Sequence, residues 1–312
     1  MKNTSVELSI VIPIYNESSI LLELHRRLRA AAEQITTNYE LIFVNDGSKD
    51  DSLNGLKELA RSSDKTHFIS FSRNFGHQIA VSAGLDHAKG NAIVIIDGDL
   101  QDPPELIPAL YKKYKEGYQV VYAKRKSRQG ESFFKKITAK LFYRILSKIT
   151  SIDIPLDTGD FRLIDKIVVK NLQKMPERQK FLRGQIAWIG FQQTYVEFER
   201  DERKHGETGY TIKKMVQFAL DGITAFSDVP LRLVTWAGFT VSFFAFLIII
   251  YALISKFVLN EVVTGWTSMI ISVMFIGGVQ LVAIGIIGEY LSRINNDVKN
   301  RPLYIIQETD VE

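Results

Sequence analysis

The sequence predicts an α/β domain built on a mainly parallel sheet, followed by a transmembrane hairpin of two helices. Three observations carry that expectation. Short branched-apolar runs ending in polar turns alternate four times with helical segments between Leu8 and Ile96, the rhythm of a parallel sheet covered by helices. Two stretches, Leu233 to Ser255 and Val262 to Gly288, contain no charged residue, and each exceeds the roughly 20 residues needed to cross a bilayer core. The chain of 312 residues has no cysteine, so its stability must come from a packed core, and thiol nucleophiles and zinc thiolates are excluded. Basic residues outnumber acidic ones only 39 to 35, and nucleic acid is not expected as a partner.

The first strand is read over residues 8–14 (LSIVIPI), ending in Pro13-Ile14-Tyr15-Asn16-Glu17. No secretory signal is read ahead of it, because the first residues lack a long apolar region and a small-residue cleavage site. Ser18 or Ser19 is expected to cap a helix carrying Leu21, Leu22, Leu24 and Leu28. A second strand runs from Tyr39 to Val44 and closes in Asn45-Asp46-Gly47-Ser48, a turn-forming cluster. A helix near Ser52 to Ala60 leads to a third strand, His67 to Phe71, which ends at Arg73-Asn74-Phe75-Gly76. Another helix, His77 to His87, precedes the run Ile93 to Ile96, read as a strand buried on both faces.

That run stops at Asp97, with Asp99, Gln101 and Asp102 close behind; Pro103 and Pro104 then open a helix at Glu105. Carboxylates so close together at the end of a buried strand are costly unless a cation or ordered donors neutralise them. Oxygen ligands suit a hard divalent ion. Open α/β sheets bind ligands beyond the carboxyl ends of their strands, where Glu17, Asp46, Arg73 and Asp97 all fall. The chain carries neither GxGxxG after its first strand nor a P-loop lysine motif, so dinucleotide binding and ATP hydrolysis lack support.

A further strand, Tyr118 to Ala123, precedes a basic loop, Lys124 to Arg128. In residues 133–150 the apolar positions follow helical spacing, and Lys136, Lys140, Arg144 and Lys148 recur on another face. This basic amphipathic stretch is expected to lie in a membrane interface. Residues 157–163 (DTGDFRL) set Asp157 and Asp160 around a glycine turn before an apolar strand, and Arg178 to Gly184 (RQKFLRG) precede the hydrophobic stretch Ile186 to Phe191. His25, His67, His77, His87 and His205 show no metal-ligand spacing and are read as structural or surface residues. Arg232 precedes the first span and Arg293, Lys299 and Arg301 follow the second. Both ends are therefore expected in the cytoplasm.

Taken together, IVIPIYNE, VNDGS, FSRNFG, DGDLQDPPE, DTGDFRL and the two spans resemble the family-2 glycosyltransferases of GT-A fold. More narrowly, they resemble the polyprenyl-phosphate glycosyltransferases, a group containing dolichol-phosphate mannose synthases and bactoprenol-phosphate glucosyltransferases. The resemblance covers essentially the whole chain, and GDFRL and PERQKFLRG place it nearer the glucosyl branch. It implies that Pro13, Tyr15, Glu17 and Asp46 hold the nucleoside. Asp97, Asp99 and Gln101, with Gly98 among them, would carry Mg2+ or Mn2+ on the donor pyrophosphate. Arg125 and Arg128 would contact phosphates, Arg203 would reach the leaving diphosphate, and Asp157 stands first among catalytic candidates. In the family's Gly-x-Ser/Thr-Lys loop this chain has Gly209 where lysine is expected, which puts that phosphate contact in doubt.

The resemblance implies an inverting transfer of a hexose, glucose from UDP-glucose in first place, to undecaprenyl or another polyprenyl phosphate at the cytoplasmic face of a bacterial inner membrane. Other donors (UDP-N-acetylhexosamine, UDP-aminoarabinose, GDP-mannose) stay open. A processive polysaccharide synthase is the competing reading, although RQKFLRG lacks the tryptophan of QxxRW. The expected organisation is a glycosyltransferase domain at 1–210, an amphipathic juxtamembrane segment at 211–230, two spans at 231–292 and a cytoplasmic tail at 293–312. Gly277, Gly278, Gly285 and Gly288 allow packing of the hairpin against copies of itself, and the resemblance implies a tetramer.

Overall fold

A computed structural model of the chain describes residues 6–126, 158–199, 227, 229–257 and 265–311. Arg128, Asp157, Arg203, Gly209, the basic stretch 133–150 and the segment 211–226 lie outside the described residues, as do the expectations placed on them. The chain divides into two units.

The first unit is an α/β layer structure. Its strands are β1 (Leu8–Ile14), β2 (Tyr39–Asn45), β3 (Thr66–Phe71), β4 (Ala92–Ile95), β5 (Val120–Arg125), β6 (Thr158–Asp165), β7 (Gln193–Phe198) and β8 (Ile306–Thr309). Among the described residues they form an eight-stranded sheet in the order β7-β5-β6-β4-β1-β2-β3-β8. β1 pairs in parallel with β2 and β4, and β2 with β3. β6 is antiparallel to both β4 and β5, and β8 is antiparallel to β3. The expectation of a mainly parallel sheet is met, with these two reversed strands added.

Helices cover both faces. Even-numbered residues of β1, from Leu8 to Ile14, share one cluster with Leu24 and Leu28 of α1 (Leu21–Glu33), Leu56 of α2 (Ser52–Ser62) and Leu110 of α4 (Ile107–Lys115). Val11 points the other way, to Val81 and Leu85 of α3 (His77–His87), Val168 of α5 (Lys166–Leu172) and Ile186 of α6 (Leu182–Ile189). The strand period of two thus divides a continuous apolar run between two helical layers. At Gly84 of α3 an added Cβ would lie 2.2 Å from Val11 Cγ1; the missing side chain lets the helix rest directly on β1.

Several local expectations change. Neither Ser18 nor Ser19 caps α1; Ile20 holds the N-cap position without a side-chain bond. The Ser18 amide instead donates to Asp50 Oδ2 at 3.0 Å, so this turn is tied to the one after β2. Pro104 opens a single 3-10 turn, Pro104–Leu106, before α4 begins at Ile107. Lys124 and Arg125 are the last residues of β5, in register with Glu197 and Phe198 of β7, not a loop. The tail contributes β8, a strand that the sequence reading did not foresee.

The second unit contains α7 (Val229–Phe257) and α8 (Trp266–Val298). Both are long and apolar enough to cross a membrane over Val229–Ile248 and Ser268–Val298, with mean hydropathy 1.7 and 2.5. Apolar side chains such as Phe239, Phe243, Met274 and Leu281 stand exposed along them, as expected where lipid rather than protein is the solvent. The Tyr290 hydroxyl donates to the Ser227 carbonyl at 2.7 Å.

Candidate active site

The carboxyl ends of β1, β2 and β4 open into a cavity of about 280 Å³ lined by Pro13, Ile14, Tyr15, Glu17, Asp46, Asn74, Gly76, His77, Asp97, Gly98 and Asp99. A larger cavity of about 440 Å³, among Glu7, Asn38, Tyr111, Lys115 and Asp165, lies at the other end of the sheet, away from the polar turns. The structure therefore brings Pro13, Tyr15, Glu17, Asp46, Asp97, Gly98 and Asp99 together. Two expected residues stand apart from this lining. Arg125 reaches Asp102, with Nη2 3.6 Å from Oδ1. Gln101 is buried, and its backbone N–H donates to Asp99 Oδ1 at 3.0 Å.

Each wall follows from its turn. Asn16 takes a left-handed backbone (φ 58°), which asparagine tolerates. Its Oδ1 accepts from the Lys49 amide at 2.8 Å, joining the β1 and β2 turns. Asp46 is buried, and its carboxylate accepts from the Phe75 amide at 2.6 Å and from the Gly76 amide at 3.0 Å. Burial raises its pKa, against those hydrogen bonds and the nearby charges of His77 and Arg73. Gly98 is required by space: a Cβ there would lie 2.6 Å from Ile14 Cδ1 and 3.0 Å from the Pro13 carbonyl. Leu100, in the same loop, is left-handed at φ 57°, a conformation that costs a branched residue on the order of 1–3 kcal/mol.

One residue set aside from the sequence belongs to this site. His77 lines the cavity, with Nε2 3.5 Å from Asp97 Oδ1 and 3.2 Å from Asp160 Oδ2. Asp160 also accepts from Gln78 Nε2 at 3.1 Å, Arg162 Nη2 at 3.1 Å and Arg183 Nη2 at 3.3 Å. β6 makes this possible: because it runs antiparallel to β4, its first residues lie at the same edge as the cavity. Burial alone would lower the His77 pKa. The bond to Asp160 and the charges of Asp97, Asp160 and Asp46 outweigh it and hold the imidazolium up to about 9. Burial would raise Asp160, but His77, Arg183 and Arg162 hold it far below the usual carboxylate range. Burial pushes Asp97 up to about 6; His77 opposes the push, while Asp160, Asp102 and Asp99 add to it. The histidine hid because its partners are distant in sequence. The only local signal was its place at the head of a helix directly after the Arg73–Gly76 turn.

Among the described residues, Asp97 Oδ1 is buried and accepts no hydrogen bond. A buried carboxylate oxygen that accepts no hydrogen bond, faced by His77 at 3.5 Å and set beside Asp99 at a cavity wall, fits a hard divalent cation. No group of three or more His, Cys, Asp or Glu side chains among the described residues could hold a metal alone. A cation on Asp97 and Asp99 would thus draw its other ligands from water or a bound phosphate, as magnesium sites commonly do.

Fold and cavity define an α/β protein with an acidic cavity at the carboxyl ends of its parallel strands, where open α/β sheets bind ligands. The chain belongs to glycosyl transferase family 2, whose model matches residues 9–173. An uncharacterized glycosyltransferase of Bacillus subtilis is 51% identical over 304 residues, covering 97% of this chain and 94% of that protein. A prophage-derived bactoprenol glucosyl transferase of Shigella flexneri is 41% identical over 304 residues, covering 97% and 98%. Among solved structures, a mannosyltransferase of Pyrobaculum calidifontis aligns with a TM-score of 0.48 at 17% identity, over 65% of this chain and 58% of that one.

Proposed function

We propose that this enzyme transfers a single hexose, glucose from UDP-glucose in first place, to a polyprenyl phosphate at the cytoplasmic face of a bacterial inner membrane. The observation that carries the reading is the cavity itself, which joins Tyr15, Glu17 and Asp46 to Asp97 and Asp99. Full-length likeness to a bactoprenol glucosyl transferase and two helices apolar enough to span a membrane support the lipid acceptor.

In this reading Pro13, Tyr15, Glu17 and Asp46 hold the nucleoside. Asp97 and Asp99 would hold Mg2+ or Mn2+, with Gln101 bracing Asp99 through its backbone N–H. When bound, the ion would supply charge stabilisation for the leaving diphosphate. His77 orients Asp97 and adds positive charge beside the same cavity. Arg125, Arg128 and Arg203 are assigned to phosphates, and Asp157 to orienting the acceptor or sugar. The acceptor needs little help from a base, because a phosphomonoester is largely dianionic at neutral pH. Its oxygen attacks the anomeric carbon as the bond to UDP breaks. The electron pair leaves on the diphosphate, and an α-linked donor gives a β-linked product. The test is incubation of the full-length protein with undecaprenyl phosphate and a panel of nucleotide sugars. One glucose per lipid from UDP-glucose is expected; polymer, or no lipid product from any donor, would overturn the reading.

A further inference from the structure

Residues 301–311 follow the second candidate span, yet they belong to the α/β unit. Their strand β8 seals the edge of β3, pairing Ile69 with Thr309, Ser70 with Glu308 and Phe71 with Ile306. The docking is specific along its length. Asp310 Oδ1 accepts from the Phe68 amide at 2.6 Å, and its Oδ2 lies 3.4 Å from His67 Nδ1. Lys57 contacts Glu308, and the Ser72 amide donates to the Ile305 carbonyl at 3.0 Å. Tyr304 stacks on Phe71 with ring centroids 5.1 Å apart and an interplanar angle of 19°. Its hydroxyl donates to Asp86 Oδ2 at 3.0 Å.

That aromatic stack continues toward the cavity. Phe71 meets Phe75 edge-on at 5.6 Å, and the Arg73 guanidinium lies 4.1 Å from the centre of the Phe75 ring. The amides of Phe75 and Gly76 are those that the Asp46 carboxylate accepts, and Asn74 and Gly76 line the cavity. Beneath the turn, Gly47 brings the backbone close enough that a Cβ would lie 2.4 Å from the Arg73 carbonyl carbon. The turn thus has two supports, the close backbone approach of Gly47 at Arg73 and the contact of Phe75 with Phe71, on which Tyr304 stacks. Left without Tyr304, Phe71 would lose a stacked ring, and Phe75 would rest on a Phe71 held less firmly.

We propose that the C-terminal segment is a positioning element of the ligand cavity, with Tyr304 as its key residue. By stacking on Phe71 it fixes Phe75, and through Phe75 the amides that orient Asp46. The effect on nucleotide affinity rests on the reading given above; the effect on the turn does not.

The test uses the full-length protein in detergent, with Tyr304→Ala and Tyr304→Phe. Amide hydrogen exchange over Arg73–Gly76, UDP affinity and melting temperature are measured for each. Tyr304→Ala is expected to speed exchange at Phe75 and Gly76 and to weaken UDP binding by roughly threefold to tenfold, the loss matching one aromatic stack. Tyr304→Phe keeps the ring and should restore both. A merely structural role would lower the melting temperature of Tyr304→Ala and leave UDP affinity as in wild type, which would overturn the proposal. Unchanged exchange at Phe75 and Gly76 would overturn it as well. If wild type itself fails to bind UDP, the nucleotide reading falls, and the exchange comparison still decides what Tyr304 does.

Discussion

A carboxylate that accepts from Gln78, Arg162 and Arg183 and faces His77 holds several positive groups that could not otherwise sit so close together. Arg162 is almost fully buried, and removing its counter-charge would strand it. Asp160→Asn is therefore expected to destabilise the protein by about 3–5 kcal/mol, the usual cost of leaving a buried charge without its partner; chemical denaturation measures this. The imidazole also gives a signed pH dependence. Its folded pKa lies near 9 against an ordinary 6.5, so its stabilisation is complete below about 6.5 and is lost as pH rises through about 9. In excess chelator, the melting-temperature advantage of wild type over His77→Gln should shrink across that window; a gap that widens with pH would contradict the assignment. At the acidic wall, Asp99→Ala and chelation should each abolish transfer with the fold retained, and full activity in excess chelator would remove the metal from the mechanism. The acidic residues were legible because turns at strand ends collect them within a short span. The partnership of His77 with Asp160 was not, because it joins the start of a helix to a reversed strand and no local spacing encodes it.

At the level of single elements, contact between α3 and β1 depends on a missing side chain. Gly84→Ala would press a methyl group onto Val11 and should cost about 1–3 kcal/mol, the range for overfilling a packed core. A melting temperature equal to wild type would show that the helix can shift freely. The strands β1 to β4 could be read from sequence because each is a branched-apolar run stopped by a turn signal. β8 escaped because Ile306–Thr309 alternates partly buried with exposed residues, and a short amphipathic stretch beyond a long apolar helix carries no mark of its partner. Arg125 was misplaced for a related reason: β5 continues through Lys124 and Arg125 because β7 offers Glu197 and Phe198 to pair with. Partner strands, more than intrinsic preference, decide where such an edge ends.

For the molecule as a whole, the sign of the flanking charges is the basis of the expected orientation. The chain has no cysteine, so single cysteines can be introduced without background. Glu261→Cys is expected to be labelled from outside intact cells and Thr4→Cys to be protected; the reverse pattern would place the acidic cavity away from a cytoplasmic donor. The order of synthesis adds a consequence of the β3–β8 pairing. β3 leaves the ribosome early, whereas the strand that seals it is encoded beyond both candidate spans. At 5–20 residues per second, roughly 10–50 s separate Phe71 from Ile306. Throughout that interval a row of unpaired backbone groups on β3 stands open, the kind of edge that recruits foreign strands. Completion of the sheet thus waits for both candidate spans to be made, and a chain arrested before its last residues would carry an unsealed edge for chaperones and proteases to recognise.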